Sequence, residues 1–110
     1  MKYSPRYFEN IRKRYPMVAQ DFDHLAAEIA RAGTLTGKEQ LLVKLGMAIG
    51  IGSEGDVQNL SMQALSEGVG PEELRQAALL AVTTAGFPTM IVAMQWVEEV
   101  IANRVPGRAP

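Results

Sequence analysis

The feature that most restricts the fold of this chain is a stretch of 22 residues without a charge, between Arg75 and Glu98. It is long enough to cross a bilayer as one helix. However, it is rich in Ala and Thr, contains Gln76 and Gln95, and is interrupted by Gly86-Phe87-Pro88, which breaks a continuous helix. The stretch therefore predicts two largely buried helices that meet at a corner, and not a membrane span.

The rest of the chain repeats the signals that begin and end helices, and no segment alternates apolar and polar residues as a half-buried strand does. Proline is placed to begin helices at Pro5, Pro16 and Pro71, and Thr36 with Glu39 has the pattern of a capping box. The predicted helices run from Ser4 to about Tyr15, from Pro16 to Ala32, from Thr36 to Gly52, from Ser53 to Gly68, from Gly70 to Gly86 and from about Pro88 to Asn103. We therefore predict one all-α domain of about six helices over residues 1–110, with a loose tail at 105–110.

One pattern indicates close packing between helices, and another predicts self-association. Gly46 and Gly50 lie about one turn apart on the third predicted helix, where each costs about 1 kcal/mol relative to alanine, so the pair indicates close packing. The last two helices are apolar on nearly all of their circumference, and four other short helices do not easily cover them. We expect a homo-oligomer with these last two helices in or near the interface.

Composition excludes several classes of function. The chain contains no cysteine, which excludes disulfides, thiolate metal sites and thiol nucleophiles within it. Eleven basic and twelve acidic residues give a net charge of −1, so we expect no nucleic-acid partner, and the Arg12–Arg14 cluster is interpreted as a solvated helix face. His24 is the only histidine and no phosphate-binding glycine loop is present, so no metal and no cofactor is expected. Since the N-terminal residues do not resemble a secretory signal, we expect a cytoplasmic protein with no membrane partner.

Three segments of the chain occur in the order and spacing of a known family: LTGKEQ from Leu35, ALSEGVGPEEL from Ala64, and AVTTAGFP from Ala81. Together they make residues 35–101 resemble the carboxymuconolactone decarboxylase and alkylhydroperoxidase D family, with residues 1–33 as additional N-terminal helices. The resemblance implies a helical bundle built for symmetric oligomerisation, commonly as a trimer or hexamer.

The redox members of that family carry a Cys-x-x-Cys pair at the start of the helix after the glycine-rich one. A His follows four residues beyond the second Cys, and a Glu precedes the first Cys by twelve residues. The matching positions here hold Ser53 and Asp56 for the cysteines, Leu60 for the His and Leu41 for the Glu. None of them retains the chemistry of the relay, so a thiol peroxidase mechanism is excluded. Ser53 and Asp56 are predicted instead to cap the helix that they begin.

The family also includes cofactor-free lactone decarboxylases, which leaves acid-base chemistry open. Lys44, Glu54 and Asp56 are the candidate catalytic residues, because an acid beside a lysine in a dry pocket can protonate the carbanion left when carbon dioxide departs. The opposing interpretation is that these charged side chains are simply solvated.

Three functions stay open. The first is a non-redox family member that binds or converts a small hydrophobic organic acid or lactone. The second is a catalytically silent oligomeric scaffold or protein-binding module, and the third is an antioxidant protein in family name only. Whether the chain is an enzyme is left open; if it is, we expect a cofactor-free decarboxylase or lyase. An enclosed pocket near Lys44, Glu54 and Asp56 would favour the first function, whereas three exposed side chains over a filled interior would favour the second.

Overall fold

The computed structural model describes residues 5–104, with the surroundings of side chains from 8 to 103. This part of the chain forms six α-helices and no strand, which confirms the predicted all-α class. The helices are α1 (Pro5–Arg14), α2 (Pro16–Ala30), α3 (Gly37–Gly50), α4 (Glu54–Ser66), α5 (Pro71–Leu79) and α6 (Phe87–Arg104), with a 3-10 helix at Leu80–Thr83 between the last two. None of these helices is both long and apolar enough to cross a membrane. The tail predicted at 105–110 lies outside the described residues.

Local signals account for most of the helix ends. At the start of α3, the Thr36 hydroxyl accepts a hydrogen bond from the Glu39 amide at 3.1 Å, and the Glu39 carboxylate accepts one from the Thr36 amide at 2.8 Å. This is the predicted capping box. Past the ends of α3 and α4, Gly52 and Gly68 adopt φ angles of 69° and 95°, in the left-handed region that glycine occupies without a steric penalty.

The fifth helix is shorter than predicted, because it ends at Leu79 and not near Gly86. Beyond it the chain tightens into the 3-10 helix, and the Thr84 hydroxyl donates a hydrogen bond to the Leu80 carbonyl at 2.7 Å. Threonine side chains that bond nearby carbonyls compete with regular helical bonding. The amides of Ala85 and Gly86 then both donate to the Ala81 carbonyl at 2.8 Å. The uncharged stretch forms two helical parts that meet at a corner at Gly86, as predicted. The prediction that both are largely buried is wrong for the protomer, because each packs only one face on the core and leaves apolar side chains exposed, among them Leu79, Leu80 and Ile91.

The hydrophobic core lies between α3, α4, α5 and α6. Helix α6 is the central element, since it packs against all three of the others and against the 3-10 helix. Each helix contributes small or branched apolar side chains at spacings of three and four, which is the pattern of a helix with one buried face. The buried side chains include Leu45, Ile49, Val57, Ala64, Leu74, Ala78, Met90, Ala93 and Val97.

The first two helices form a hairpin beside this core. Helix α2 makes its main contacts with α1, and none of its residues is buried. Arg12 of α1 donates two hydrogen bonds to the Asp23 carboxylate of α2, at 2.7 and 2.9 Å. The Gln40 amide of α3 donates to the carbonyls of Ala30 and Leu35, at 3.0 and 2.9 Å, and so connects the end of α2 to the bundle. The hairpin is therefore attached to the core without being part of it.

Candidate functional site

At the four positions that correspond to the redox residues of the resembled family, the side chains here pack in the core or lie at a helix start. Ser53 is the N-cap residue of α4, as predicted, but its hydroxyl accepts no hydrogen bond from a backbone amide. It donates instead to the Asp56 carboxylate at 2.8 Å. Leu41 and Leu60 are half-buried and pack against the core. These residues contribute packing and a helix start, and none of them is arranged to move a proton.

The three candidate acid-base residues do not line one pocket. Lys44 is exposed on α3, whereas Glu54 is half-buried and Asp56 exposed in the first turn of α4. Between Lys44 and the end of α3 at Gly50 the helix rises by about 9 Å, and α4 begins beyond that point. The pocket that Lys44 lines includes neither Glu54 nor Asp56. Lys44 is therefore the member of the predicted set that has a cavity beside it.

That cavity is an open cleft at the surface, between the end of α2, the loop at 31–36 and the first half of α3, and its volume is about 330 Å³. It is not the enclosed pocket that was expected of a ligand-binding member, since Ile29, Leu35 and Met47 in its walls are each more than half exposed. It is lined by Ile29, Ala30, Gly33, Leu35, Gln40, Val43, Lys44 and Met47. Lys44 is the one charged residue among them, and no acidic side chain of the described chain forms a salt bridge with it. The cavity thus has mainly apolar walls, and Lys44 beside it forms no salt bridge in the described chain, a combination that suits an apolar carboxylate.

Gln40 belongs to this cavity, although the sequence analysis did not single it out. Its side-chain nitrogen is held by the Ala30 and Leu35 carbonyls, so it fixes the wall formed by the end of α2 and the following loop. Both acceptors are backbone atoms, and their positions depend on the path of the loop. No pattern of residue types could have identified this role.

A larger open groove of about 800 Å³ lies between α3 on one side and α5 with the 3-10 helix on the other. Its lining residues are Leu42, Val43, Gly46, Ile49, Gly50, Glu73, Gln76, Ala77, Leu80, Ala81, Thr84 and Ala85. The one charge among them is Glu73, whose carboxylate accepts a hydrogen bond from the Gly70 amide at 2.9 Å. Because a carboxylate at its edge repels an anion, this groove is a poorer site for an organic acid than the cavity beside Lys44.

His24 lies on the exposed surface of α2, with its side chain 78% accessible and Nε2 3.9 Å from a Glu28 carboxylate oxygen. In the part of the chain that the structure describes, no three His, Asp or Glu side chains gather closely enough to hold a metal ion.

Comparison with known families gives one match, which covers most of the chain. The model of the carboxymuconolactone decarboxylase family matches residues 16–99. This confirms the resemblance drawn from three short segments and extends it towards the N-terminus to include α2. No curated protein and no solved structure matches the chain.

Proposed function

The chain belongs to the carboxymuconolactone decarboxylase family, and on that premise we propose that it binds a small apolar organic acid, or the carboxylated lactone of one, in the cavity beside Lys44. The observation that carries this proposal is that Lys44 is the one charged residue in an otherwise uncharged, mainly apolar lining. Since the chain has no cysteine, the proposed function does not include the thiol chemistry of the redox members.

The dimensions and chemistry of the cavity support this class of ligand. Its volume of about 330 Å³ lies near the lower end of the range for small-molecule sites, about 300–1,000 Å³. Ile29, Leu35 and Met47 offer apolar contact to a hydrocarbon ring or chain. Lys44 offers a charge-assisted hydrogen bond to a carboxylate, which contributes about 1.5–3 kcal/mol.

If the bound acid is also converted, Lys44 is the residue we assign as proton donor. Loss of carbon dioxide breaks a carbon–carbon bond and leaves the electron pair on the remaining carbon, which then takes a proton from an adjacent acid. Lys44 is the one ionisable residue that lines this cavity, and its ammonium group can supply that proton. In this proposal Glu54 and Asp56 stabilise the start of α4, where carboxylates favour the helix dipole, and take no part in the reaction.

Binding can be measured by calorimetry or by NMR titration of the protein with carboxymuconolactone and with benzoate as a simpler apolar carboxylate. We expect Lys44→Met to lower the affinity for both about 10- to 100-fold, since it removes one charge-assisted bond and keeps a side chain of similar length. Release of carbon dioxide from carboxymuconolactone, measured on the same samples, tests conversion.

Lys38→Met is the matched control. Lys38 lies on the same helix but does not line the cavity, so this variant should bind as the unmodified protein does. Equal binding by the Lys44→Met variant, or no binding of either acid by the unmodified protein, would overturn the proposal and favour the catalytically silent scaffold.

A further inference from the structure

The amide group of Gln40, in the lining of the cavity beside Lys44, has its nitrogen bound to the protein and its oxygen free. The nitrogen, Nε2, donates to the carbonyl oxygens of Ala30 and Leu35, at 3.0 and 2.9 Å. Because a carbonyl oxygen only accepts hydrogen bonds, the amide presents its NH2 group, and not its oxygen, to this pair. The two bonds use both hydrogens of the NH2 group, so Nε2 has no hydrogen left to donate to a ligand.

The amide oxygen of Gln40, Oε1, is the hydrogen-bonding atom that remains. It accepts no hydrogen bond within the described part of the chain. Gln40 is half-buried, and among side chains that are not exposed the described chain buries one polar atom without a partner, the Ser61 hydroxyl. The unpaired Oε1 atom is therefore accessible. Its amide is held in one orientation by the two bonds from Nε2, so it is an acceptor whose direction is fixed before a ligand arrives.

This acceptor lies next to the positive charge of the same cavity. Gln40 and Lys44 are one turn apart on α3, about 6 Å along the helix axis, and side chains at this spacing are neighbours on one helix face. The rest of the cavity lining is uncharged. A single small ring that carries a carboxylate and a hydroxyl group can therefore contact the Lys44 ammonium and Oε1 of Gln40 at the same time.

We propose that Gln40 is a specificity-determining residue of this cavity and selects an organic acid that carries a hydroxyl group. The carboxylate of the acid pairs with Lys44, and its hydroxyl donates a hydrogen bond to Oε1 of Gln40. The inference rests on the proposed function, because it requires an acid in the same cavity. It narrows the class of ligand, since an acid without a donor at this place leaves Oε1 unpaired, and an acid with a second carboxylate there brings two acceptors together.

The test compares the binding of benzoate, meta-hydroxybenzoate and meta-methoxybenzoate to the unmodified protein, by calorimetry or NMR titration. The hydroxyl group can donate a hydrogen bond, whereas the methoxy group places an oxygen at the same ring position and can only accept. We expect the hydroxylated acid to bind about 3- to 10-fold more tightly than either of the other two, the effect of one net hydrogen bond.

Two variants at position 40 separate the acceptor from the support that its amide gives to the cavity wall. Gln40→Lys keeps a nitrogen donor for the carbonyls of Ala30 and Leu35 but has no acceptor, and Gln40→Met has neither. A disturbed wall or an added charge changes the affinity for all three acids alike. The readout is therefore the ratio of the affinities for the hydroxylated acid and benzoate, which we expect to fall to about 1 in both variants.

Two further variants serve as controls. Lys44→Met removes the charge on which the proposed function depends, and it should lower the affinity for all three acids. Gln63→Met replaces a glutamine of α4 that does not line the cavity. It should leave both the affinities and their ratio as they are in the unmodified protein.

The inference and the proposed function can fail separately. Equal affinity of the unmodified protein for the three acids, with Lys44→Met still weakening their binding, would overturn the inference and leave the proposed function in place. A preference for the hydroxylated acid that persisted in Gln40→Lys and Gln40→Met, both folded by circular dichroism, would also overturn it, because the hydroxyl would then bind elsewhere. Binding of none of the three acids would overturn both.

Discussion

Ser61 is the buried polar side chain of the described core, and its hydroxyl has no hydrogen-bond partner there. It lies in α4 and is fully inaccessible. A buried hydroxyl that loses its hydrogen bonds to water and gains none in the protein costs about 1–3 kcal/mol. The Ser61 hydroxyl is therefore a buried polar group whose desolvation is not compensated by a hydrogen bond.

We therefore predict that Ser61→Ala raises the free energy of unfolding, by about 1 kcal/mol, since removal of the hydroxyl also leaves a small gap. Urea unfolding followed by circular dichroism measures this change. The matched control is Ser66→Ala in the same helix, where the exposed hydroxyl donates to the Gln63 carbonyl and its loss should change stability little. A clear loss of stability in Ser61→Ala would show that the hydroxyl has a partner in solution.

Helices α5 and α6 are joined at their surface by an ion-pair cluster. Arg75 of α5 donates to Glu72 on its own helix at 2.6 Å and to both oxygens of Glu98 on α6, at 2.8 and 3.0 Å. The hydrogen bonds from Arg75 lower the pKa of the Glu98 carboxyl below its ordinary value of 4.5, and bonds to Glu98 and Glu72 raise the pKa of Arg75. Arg75 and Glu98 are the charged residues on either side of the uncharged stretch, so this ion pair joins the two ends of the stretch.

The lowered pKa of Glu98 makes part of the stability depend on pH. Its contribution is fully present above pH 4.5, the ordinary value, and is lost as the pH falls through the lower pKa of the folded protein. We predict that Glu98→Gln reduces the free energy of unfolding at pH 7 by less than about 1 kcal/mol, because the pair lies at the surface, with its side chains 34% and 46% exposed, where solvent screens it. The difference from the unmodified chain should shrink as the pH falls below 4.

Urea unfolding at pH 7 and at pH 3 measures this difference. Glu99→Gln is the control, since no salt bridge to Glu99 occurs in the described part of the chain, and it should unfold as the unmodified chain does at both values. If Glu98→Gln lowered the free energy of unfolding by the same amount at pH 3 as at pH 7, the ion pair would not be the cause of that loss.

Considered as a whole, the molecule combines a packed bundle with a hairpin that the bundle does not cover. Leu45, Val57, Leu74 and Val97 are completely inaccessible in the bundle, whereas every residue of α2 is at least partly accessible. Hydrophobic stabilisation follows the apolar area removed from water. The free energy of folding of a single protomer is therefore concentrated in α3 to α6.

Truncation of a leucine to alanine should lower the stability more in the bundle of α3 to α6 than in α2. We predict that Leu74→Ala lowers the free energy of unfolding by about 2–5 kcal/mol, and that Leu25→Ala, at a site 57% exposed, lowers it by less than about 1 kcal/mol. The measurement is urea unfolding at two protein concentrations tenfold apart, so that any contribution from association between copies is detected. Equal losses would show that α2 packs against its own bundle.

A large part of the fold could be predicted from the sequence because helix ends depend on residues only a few positions apart. The Thr36–Glu39 capping box, the prolines that begin α2 and α5, and the glycines at 52 and 68 each act within one turn. The loss of the redox relay is likewise a property of residue identity, since a chain with Ser53 and Asp56 in place of the cysteines has no thiol in any conformation.

The candidate site was less predictable, because it depends on where distant segments lie. Lys44 was identified from its residue type, but the position of Glu54 and Asp56 outside the cavity beside it follows from how α4 packs on α3. The role of Gln40 follows from the path of a loop.

By itself, then, the sequence determined the family, the helices and the absence of thiol chemistry, all of which depend on local bonding or on composition. Tertiary structure alone decided that α5 ends at Leu79 and that Lys44 has a cavity without the other two candidates. It also decided that the apolar face of α2 with Val18, Phe22, Leu25 and Ile29 is not covered by the described residues. The physical reason is that capping hydrogen bonds form between residues within one helical turn. Burial, in contrast, depends on which helix faces are packed together by segments far apart in the sequence.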